Sequence, residues 1–264
     1  MENRKQEEIE LQNKIRSKKL QENSSEFKRL TANRKFYSIT RQSTDFLNSY
    51  FAENYIGKKI LDYGCGDGGI PIALAKKGAE VIGIDIADIR IKTCQELAKK
   101  EGVEGKATFF VMDAEKTTFP DSFFDGVICT GVLHHLDTEN AFRELARVIN
   151  HNGTIICNEP LAYNPVFQLY RKITPYLRSG WEAEHILSKK DFVVAERYFG
   201  KIEKRFFHLF SLMAVPLRRW PKVFNPVLNF LEKMDSAMLR LPFVKWWAWQ
   251  VIFILSEPKK PQKS

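Results

Sequence analysis

The chain has 264 residues, of which 44% are hydrophobic and 28% charged, a balance that suits a globular domain and excludes a disordered or membrane-embedded one. Its formal net charge is +9, which admits nucleic acid, an anionic membrane or a phosphorylated small molecule as partner. The excess is local: residues 164–264 hold 18 Lys/Arg against 8 Asp/Glu, whereas residues 1–163 hold 23 against 24.

In chain order, residues 1–30 read as a charged tail or frayed helix that orders only on docking, because Ile9, Leu11, Ile15 and Leu20 make no wide apolar stripe. They also lack the apolar core of a signal peptide. Residues 31–55 supply aromatic anchors, Phe36, Tyr37, Phe46, Tyr50 and Phe51, for one or two helices. From residue 59 the pattern alternates. Strands are predicted at 59–63, 80–85, 107–112, 124–129 and 153–158, and helices at 71–77, 89–100 and 139–149. Such alternation predicts a parallel sheet with right-handed crossovers. After Pro160 the rhythm breaks. Residues 161–188 read as a lid-like insertion and 189–198 as a helix. Residues 201–212 are strand-like, 214–243 a helical insertion broken by Pro221 and Pro226, 246–255 again strand-like, and 257–264 a basic tail. The last two strands join the same sheet, so one domain at 31–256 is expected. It has an α/β, Rossmann-like, seven-stranded, mostly parallel sheet with helices on both faces and a helical N-terminal extension.

Cys65, Cys94, Cys129 and Cys157 form no CxxC pair and fall in or near regular elements. That argues for free thiols in a reducing compartment, against disulfides or a metal site. The longest apolar stretches, 206–217 and 244–255, fall short of the roughly 18 residues of a spanning helix. A cytoplasmic protein is expected, with membrane contact only from the inner-face surface.

The segment Ile60-Leu61-Asp62-Tyr63-Gly64-Cys65-Gly66-Asp67-Gly68-Gly69 runs a strand into a glycine turn and then a helix. Glycine permits the sharp turn and close approach of a ligand, and the helix N-terminus beyond offers unpaired N–H groups. Alone this marks only a nucleotide-type site. Asp85 ends the second strand about twenty residues on, where an acid accepts from two ribose hydroxyls. Asp113 ends the third, where a carboxylate suits an adenine amino group. All lie at the C-terminal edge of consecutive strands, the ligand edge of open α/β sheets. A dinucleotide-binding dehydrogenase is the nearest competitor, but Gly64-x-Gly66-x-Gly68 lacks the Gly-x-Gly-x-x-Gly spacing.

With these pieces the sequence resembles the class I S-adenosylmethionine-dependent methyltransferases, a group that includes quinone-biosynthesis C-methyltransferases and many small-molecule O- and N-methyltransferases. The matching blocks are Asp62 to Gly68, Gly83-Ile84-Asp85-Ile86, Asp113-Ala114, Phe124-Asp125-Gly126-Val127-Ile128, Val132-Leu133-His134-His135-Leu136 and Glu144-Leu145-Ala146-Arg147-Val148-Ile149. They cover roughly residues 55–160. Asn152-Gly153 departs from the paired glycines common there, in a turn of structural weight only. The resemblance implies S-adenosylmethionine as cofactor. Gly64 and Gly66 would approach its methionine part, with Asp62 holding the ammonium. Asp85, beside Ile86, would take the ribose hydroxyls, Asp113 and the Ala114 backbone the adenine, and Thr130 would line the methionine or the reacting methyl.

A hydroxyl or carbon-acid acceptor needs a base. His135 is the first candidate and His134 the second, since imidazole titrates near neutrality. Glu159 is expected to face the cleft as a base, as an orienter of the acceptor or as a structural partner of the insertion, and Tyr37 to close over the cofactor. In the insertion on the acceptor side, Arg171 and Arg178 would grip a phosphate or carboxylate with their guanidinium forks, and His185 would touch the acceptor. Mixed aromatic and basic residues beyond 206 suit a membrane interface. They favour a small amphiphilic or lipid-linked acceptor over a soluble natural product or a cell-envelope sugar. Nucleic acid is not the expected partner, because Thr130-Gly131-Val132-Leu133 stands where amino-methylating nucleic acid enzymes carry Asn/Asp-Pro-Pro-Tyr/Phe. A non-catalytic module is disfavoured by intact Gly64, Gly66, Asp85 and Asp113.

Overall fold

Seven apolar runs become strands: β1 (Lys59–Tyr63), β2 (Glu80–Asp85), β3 (Ala107–Val111), β4 (Phe124–Thr130), β5 (Ile149–Pro160), β6 (Phe199–Phe207) and β7 (Gln250–Pro258). The computed structural model describes residues 2–16, 27–28, 31–177, 181 and 185–259. The strands hydrogen-bond in one sheet, in the order β3-β2-β1-β4-β5-β7-β6. Neighbours from β3 to β5 are parallel, and β7 is antiparallel to both β5 and β6.

Side chains on a strand alternate between faces, and β1 shows the consequence. Leu61 and Tyr63 enter a core shared with α5 (Thr138–Val148) and α7 (Lys189–Tyr198). Ile60 enters the opposite core, with Leu47 and Phe51 of α2 (Arg41–Asn54) and Leu74 of α3 (Gly69–Lys76). The crossover helix between β2 and β3, α4 (Asp88–Lys100), packs Ile91, Cys94 and Ala98 against β3. Local signals set the helix starts. Asp137 accepts from the Asn140 N–H at the head of α5, and Ser188 with Asp191 forms a capping box at α7. The four cysteines are buried and free.

Three expectations shift. The sixth strand stops at Phe207 rather than 212, because His208 takes a left-handed φ of 65°. The Asp235 carboxylate then accepts the N–H groups of Leu209, Phe210 and Ser211 and turns the chain into a 3-10 segment, Ser211–Arg219. The following helix, α8 (Pro221–Met238), starts on Pro221 and continues through Pro226 instead of breaking there. Val244–Trp247 is a 3-10 turn, so β7 starts only at Gln250 and runs to Pro258, past the expected boundary at 256. At the N-terminus, Glu2–Arg16 is a helix, α1, and it lies across the ligand edge of the sheet. It docks through charge rather than an apolar stripe, and of the two readings, tail or helix, the helix holds over these residues.

The insertion 161–188 contains α6 (Pro165–Ile173) and a 3-10 turn at Pro175–Leu177. Asn164 caps α6 by accepting from the Phe167 N–H at 2.9 Å, and Pro165 occupies its first turn. An isolated bridge between Leu161 and Leu187 closes its base.

Candidate active site

One cavity of about 620 Å³ opens along the C-terminal ends of β1, β2, β4 and β5. At one end the chain turns from β1 into α3. Gly64 and Gly66 adopt φ of 83° and 53°, a region closed to most side chains. A Cβ on Gly64 would lie 2.5 Å from Val132 Cγ2, so any side chain there would displace the wall. The N–H groups of Gly64 and Cys65 donate to the Ile84 carbonyl at 2.9 and 2.8 Å, locking the turn to β2. No side chain caps α3, which leaves its first N–H groups for an anionic ligand group.

Three carboxylates follow along the edge. Asp62 is buried; burial and the neighbouring Asp85 push its carboxyl up to about 7. Asp85 is held ready: Oδ1 accepts from the Ala87 N–H at 2.9 Å, and Oδ2 from the Gly66 N–H at 3.1 Å and from Arg90 at 3.3 Å. Asp113 accepts from the Glu115 N–H at 3.0 Å and from Lys5 Nζ at 2.6 Å. The Tyr63 hydroxyl donates to the Ala114 carbonyl and so fixes the Asp113-Ala114 loop from beneath.

Beyond β4 a second constellation forms. Glu159 is wholly buried. Its Oε1 accepts from the Val132 and Leu133 N–H groups at 2.8 and 2.9 Å, and its Oε2 meets His134 Nδ1 at 2.7 Å. A carboxylate at Nδ1 draws the proton there and leaves the lone pair on Nε2. His135 lies beside His134 with its ring tilted by 37° and the centroids 4.2 Å apart, and its Nδ1 is 3.4 Å from Glu8 of α1. Burial acts to raise the Glu8 carboxyl, but His135, with Gln12 and Arg90, outweighs it and holds Glu8 down at about 2.

The far end of the cavity is aromatic. Phe36, Phe167 and Trp249 line it, and Trp249 packs 5.5 Å from both phenylalanine rings. Thr130 Oγ1, Asn158 Oδ1 and Trp249 Nε1 are buried here with no hydrogen-bond partner among the described residues. Thr130 and Asn158 are direct partners across β4 and β5. Buried polar atoms without partners are costly, so this row suits the polar groups of a ligand.

Asp62, Gly64, Gly66, Asp85, Ile86, Asp113, Ala114, Thr130 and Tyr37 all line this cavity, as do His134, His135 and Arg171. Tyr37 is 66% exposed at the rim. Two residues expected there are elsewhere. Glu159 is not part of the lining; its oxygens are engaged by the turn after β4 and by His134 and do not face the cleft. His185 is exposed and stacks on Trp181 outside the cavity. Arg178 lies outside the described residues. Arg90, Asn158 and Trp249 were not expected at the site, nor was the part that α1 plays there. Its signal was present in charge, not hydropathy: Lys5, Glu8 and Gln12 recur at helical spacing on one face, and each meets the site or its support.

The residues fit S-adenosylmethionine: an uncapped helix N-terminus behind left-handed glycines, then carboxylates at the ends of β1 and β2 and just past β3. Comparison with known proteins agrees. Residues 61–157 match the family described as methyltransferase domain. The chain is 40% identical over 101 residues to ajmaline N-methyltransferase of Rauvolfia serpentina, covering 38% of this chain and 35% of that one. It is also 40% identical over 101 residues to the chloroplastic tocopherol O-methyltransferase of Arabidopsis thaliana, covering 38% and 29%. The matched part is thus about a third of the length of these curated relatives. In structure, the chain aligns with geranyl diphosphate C-methyltransferase of Streptomyces coelicolor A3(2) at a TM-score of 0.58 and 14% identity, over 90% of this chain and 86% of that one. That likeness carries the fold alone.

Proposed function

We infer that the whole chain, whose residues 61–157 match the family described as methyltransferase domain, transfers a methyl group from S-adenosylmethionine to a small, amphiphilic or lipid-linked acceptor. The observation that carries this reading is the continuity of one cavity, from the glycine turn and its carboxylates to an aromatic chamber with unpartnered polar atoms.

S-adenosylmethionine, when bound, supplies a methyl group on a sulfonium that is already a good leaving group, so the protein's work is alignment and exclusion of water. The α3 N-terminus and Gly66 would face the cofactor carboxylate, and Asp62 its ammonium. Asp62 is then a carboxylate whose charge the ligand restores against burial. Asp85 would take the ribose hydroxyls, and Asp113 with Ala114 the adenine. Thr130 stands where the two halves of the cavity meet. For an acceptor that loses a proton, the arrangement favours His134 over His135 as base. Glu159 fixes the His134 ring and its tautomer, whereas His135 faces Glu8 of the covering helix. Glu159 is a positioning residue. Arg171, buried at the cavity wall, suits an anionic or oxygen-rich group of the acceptor.

The likeness to ajmaline N-methyltransferase favours a second reading, a soluble natural-product acceptor, for which a neutral amine would need no base. Turnover of S-adenosylmethionine against fractionated host lipids and metabolites, with product mass as readout, separates the two. A gain of one methyl mass in a lipid fraction supports the amphiphilic reading. A gain only in the water-soluble fraction overturns it.

A further inference from the structure

The two long connections on the β5-β7-β6 side of the sheet end in a surface unlike the rest of the molecule. The connection from β5 to α7 starts at the ligand edge. β6 runs parallel in direction to β5, so the connection from β6 to β7, residues 208–249, stands at the same edge. Together they build a crown with a core of its own, in which Phe167 of α6, Leu212 and Val215 of the 3-10 segment, and Leu228 of α8 pack with Phe36 and Trp249. Phe36, Phe167 and Trp249 are also the aromatic wall of the cavity. The apolar end of the cavity therefore lies directly beneath the crown.

The outside of the crown is apolar too. Of sixteen exposed large apolar side chains among the described residues, eleven lie on these two connections. Val166, Leu169 and Ile173 recur at helical spacing on α6 and are all exposed, so this helix shows solvent an apolar stripe opposite its buried Phe167. On 208–249, Trp220 and Phe230 are exposed and Phe243 is 89% exposed. On 208–249 the exposed charges have one sign. Residues 208–249 carry Arg218, Arg219, Lys222, Lys233, Arg240 and Lys245 against two carboxylates, Glu232 and Asp235. Both carboxylates are buried and engaged internally, Glu232 with Arg41 and Asp235 with backbone N–H groups. No carboxylate of this connection faces solvent.

We propose that the crown is a docking surface for an anionic lipid bilayer, which brings the aromatic end of the cavity to the membrane and lets the acceptor enter from it; the entry route rests on the amphiphilic-acceptor reading above. A bilayer interface meets both features at once, with hydrocarbon for Trp220, Phe230 and Phe243 and phosphates for the cations. Nucleic acid would satisfy the cations and leave the phenylalanines and valines in water. A second copy docked through the same patch would set positive charge against positive charge.

Flotation of the full chain with vesicles tests this, using phosphatidylcholine alone and phosphatidylcholine with a third phosphatidylglycerol, at low and high salt. The chain floats with the anionic vesicles at low salt and not with the neutral ones. Combined Arg219→Glu, Lys222→Glu and Arg240→Glu lowers the partition about a hundredfold or more. Combined Trp220→Ser, Phe230→Ser and Phe243→Ser lowers it about tenfold or more. All six positions are exposed, and S-adenosylmethionine titration of each variant checks that the cofactor site is intact. Absence of flotation by the unaltered chain overturns the proposal, as does flotation of the serine variant equal to the unaltered chain, which would mark a general polyanion patch. Docking without cofactor binding would instead overturn the proposed function, and cofactor binding without docking would leave that function standing.

Discussion

The β3-β2-β1-β4 side and the β5-β7-β6 side of one sheet edge carry opposite chemistry. The first presents a glycine turn and the carboxylates Asp62, Asp85 and Asp113. The second presents aromatic rings and cations, and the two carboxylates of residues 208–249 are buried. The first is set by backbone geometry at fixed spacing, with a few local residues deciding each contact. The second is made by packing between segments far apart in the chain, Phe36 against Phe167 and Trp249. A cofactor site of the first kind tolerates little change, whereas an acceptor site of the second kind can be re-formed around another molecule.

The seam between the sides is the Glu159–His134 pair, and breaking it gives the largest effect. Glu159→Gln keeps the size but removes the charge that orients His134. With an acceptor that loses a proton, turnover should fall roughly a hundredfold, the scale of general-base catalysis, while cofactor affinity stays nearly constant. Full turnover in this variant would reduce Glu159 to a brace for the turn after β4.

On the cofactor side, Gly64→Ala forces a side chain into a left-handed backbone and to 2.5 Å from Val132. The strain costs on the order of 1–3 kcal/mol, visible as a lower melting temperature and weaker S-adenosylmethionine binding. A full-affinity variant would remove the turn from the site.

Asp62 sharpens the comparison through pH. Its folded carboxyl is raised from 3.8 to about 7, so the folded, ligand-free protein binds the proton more tightly than the unfolded chain. The stability it contributes is present below pH 3.8 and lost as pH rises through about 7. Asp62→Asn should therefore stabilise the ligand-free protein more at pH 8 than at pH 4, yet weaken cofactor binding at both pH 7 and pH 8. In the unaltered protein, affinity should rise with pH across this window. Melting curves and titrations at these pH values read both effects; an affinity independent of pH would remove Asp62 from the ammonium.

The smallest effect belongs to α1. Lys5 and Asp113 are each partly exposed, and such pairs are worth about 0–1 kcal/mol. Lys5→Ala should change cofactor affinity by less than about tenfold, with a weaker dependence on salt. A larger loss would make α1 part of the binding site rather than its cover.

How legible these parts were follows from the same contrast. The strand ends, Gly64, Gly66, Asp85 and Asp113 are read from short local patterns, and all of them line the cavity. Glu159 was placed at the right edge, but the rotation of its side chain toward the Val132 and Leu133 N–H groups depends on a turn that no local pattern records. The end of β6 depends on Asp235, 28 residues beyond Phe207, reaching back to the backbone. The docking of α1 depends on ion pairs to residues more than a hundred positions away. Among the described residues no helix is long and apolar enough to cross a membrane; the apolar surface of the crown came into view only when burial separated Phe167, inside, from Ile173, outside.

Calorimetric titration of the full chain with S-adenosylmethionine tests the central claim most directly. Saturable binding at one site is predicted, weakened in Asp85→Ala by on the order of 1–3 kcal/mol through lost hydrogen bonds to a charged group. No binding by the unaltered chain, or equal affinity in Asp85→Ala, would contradict the account.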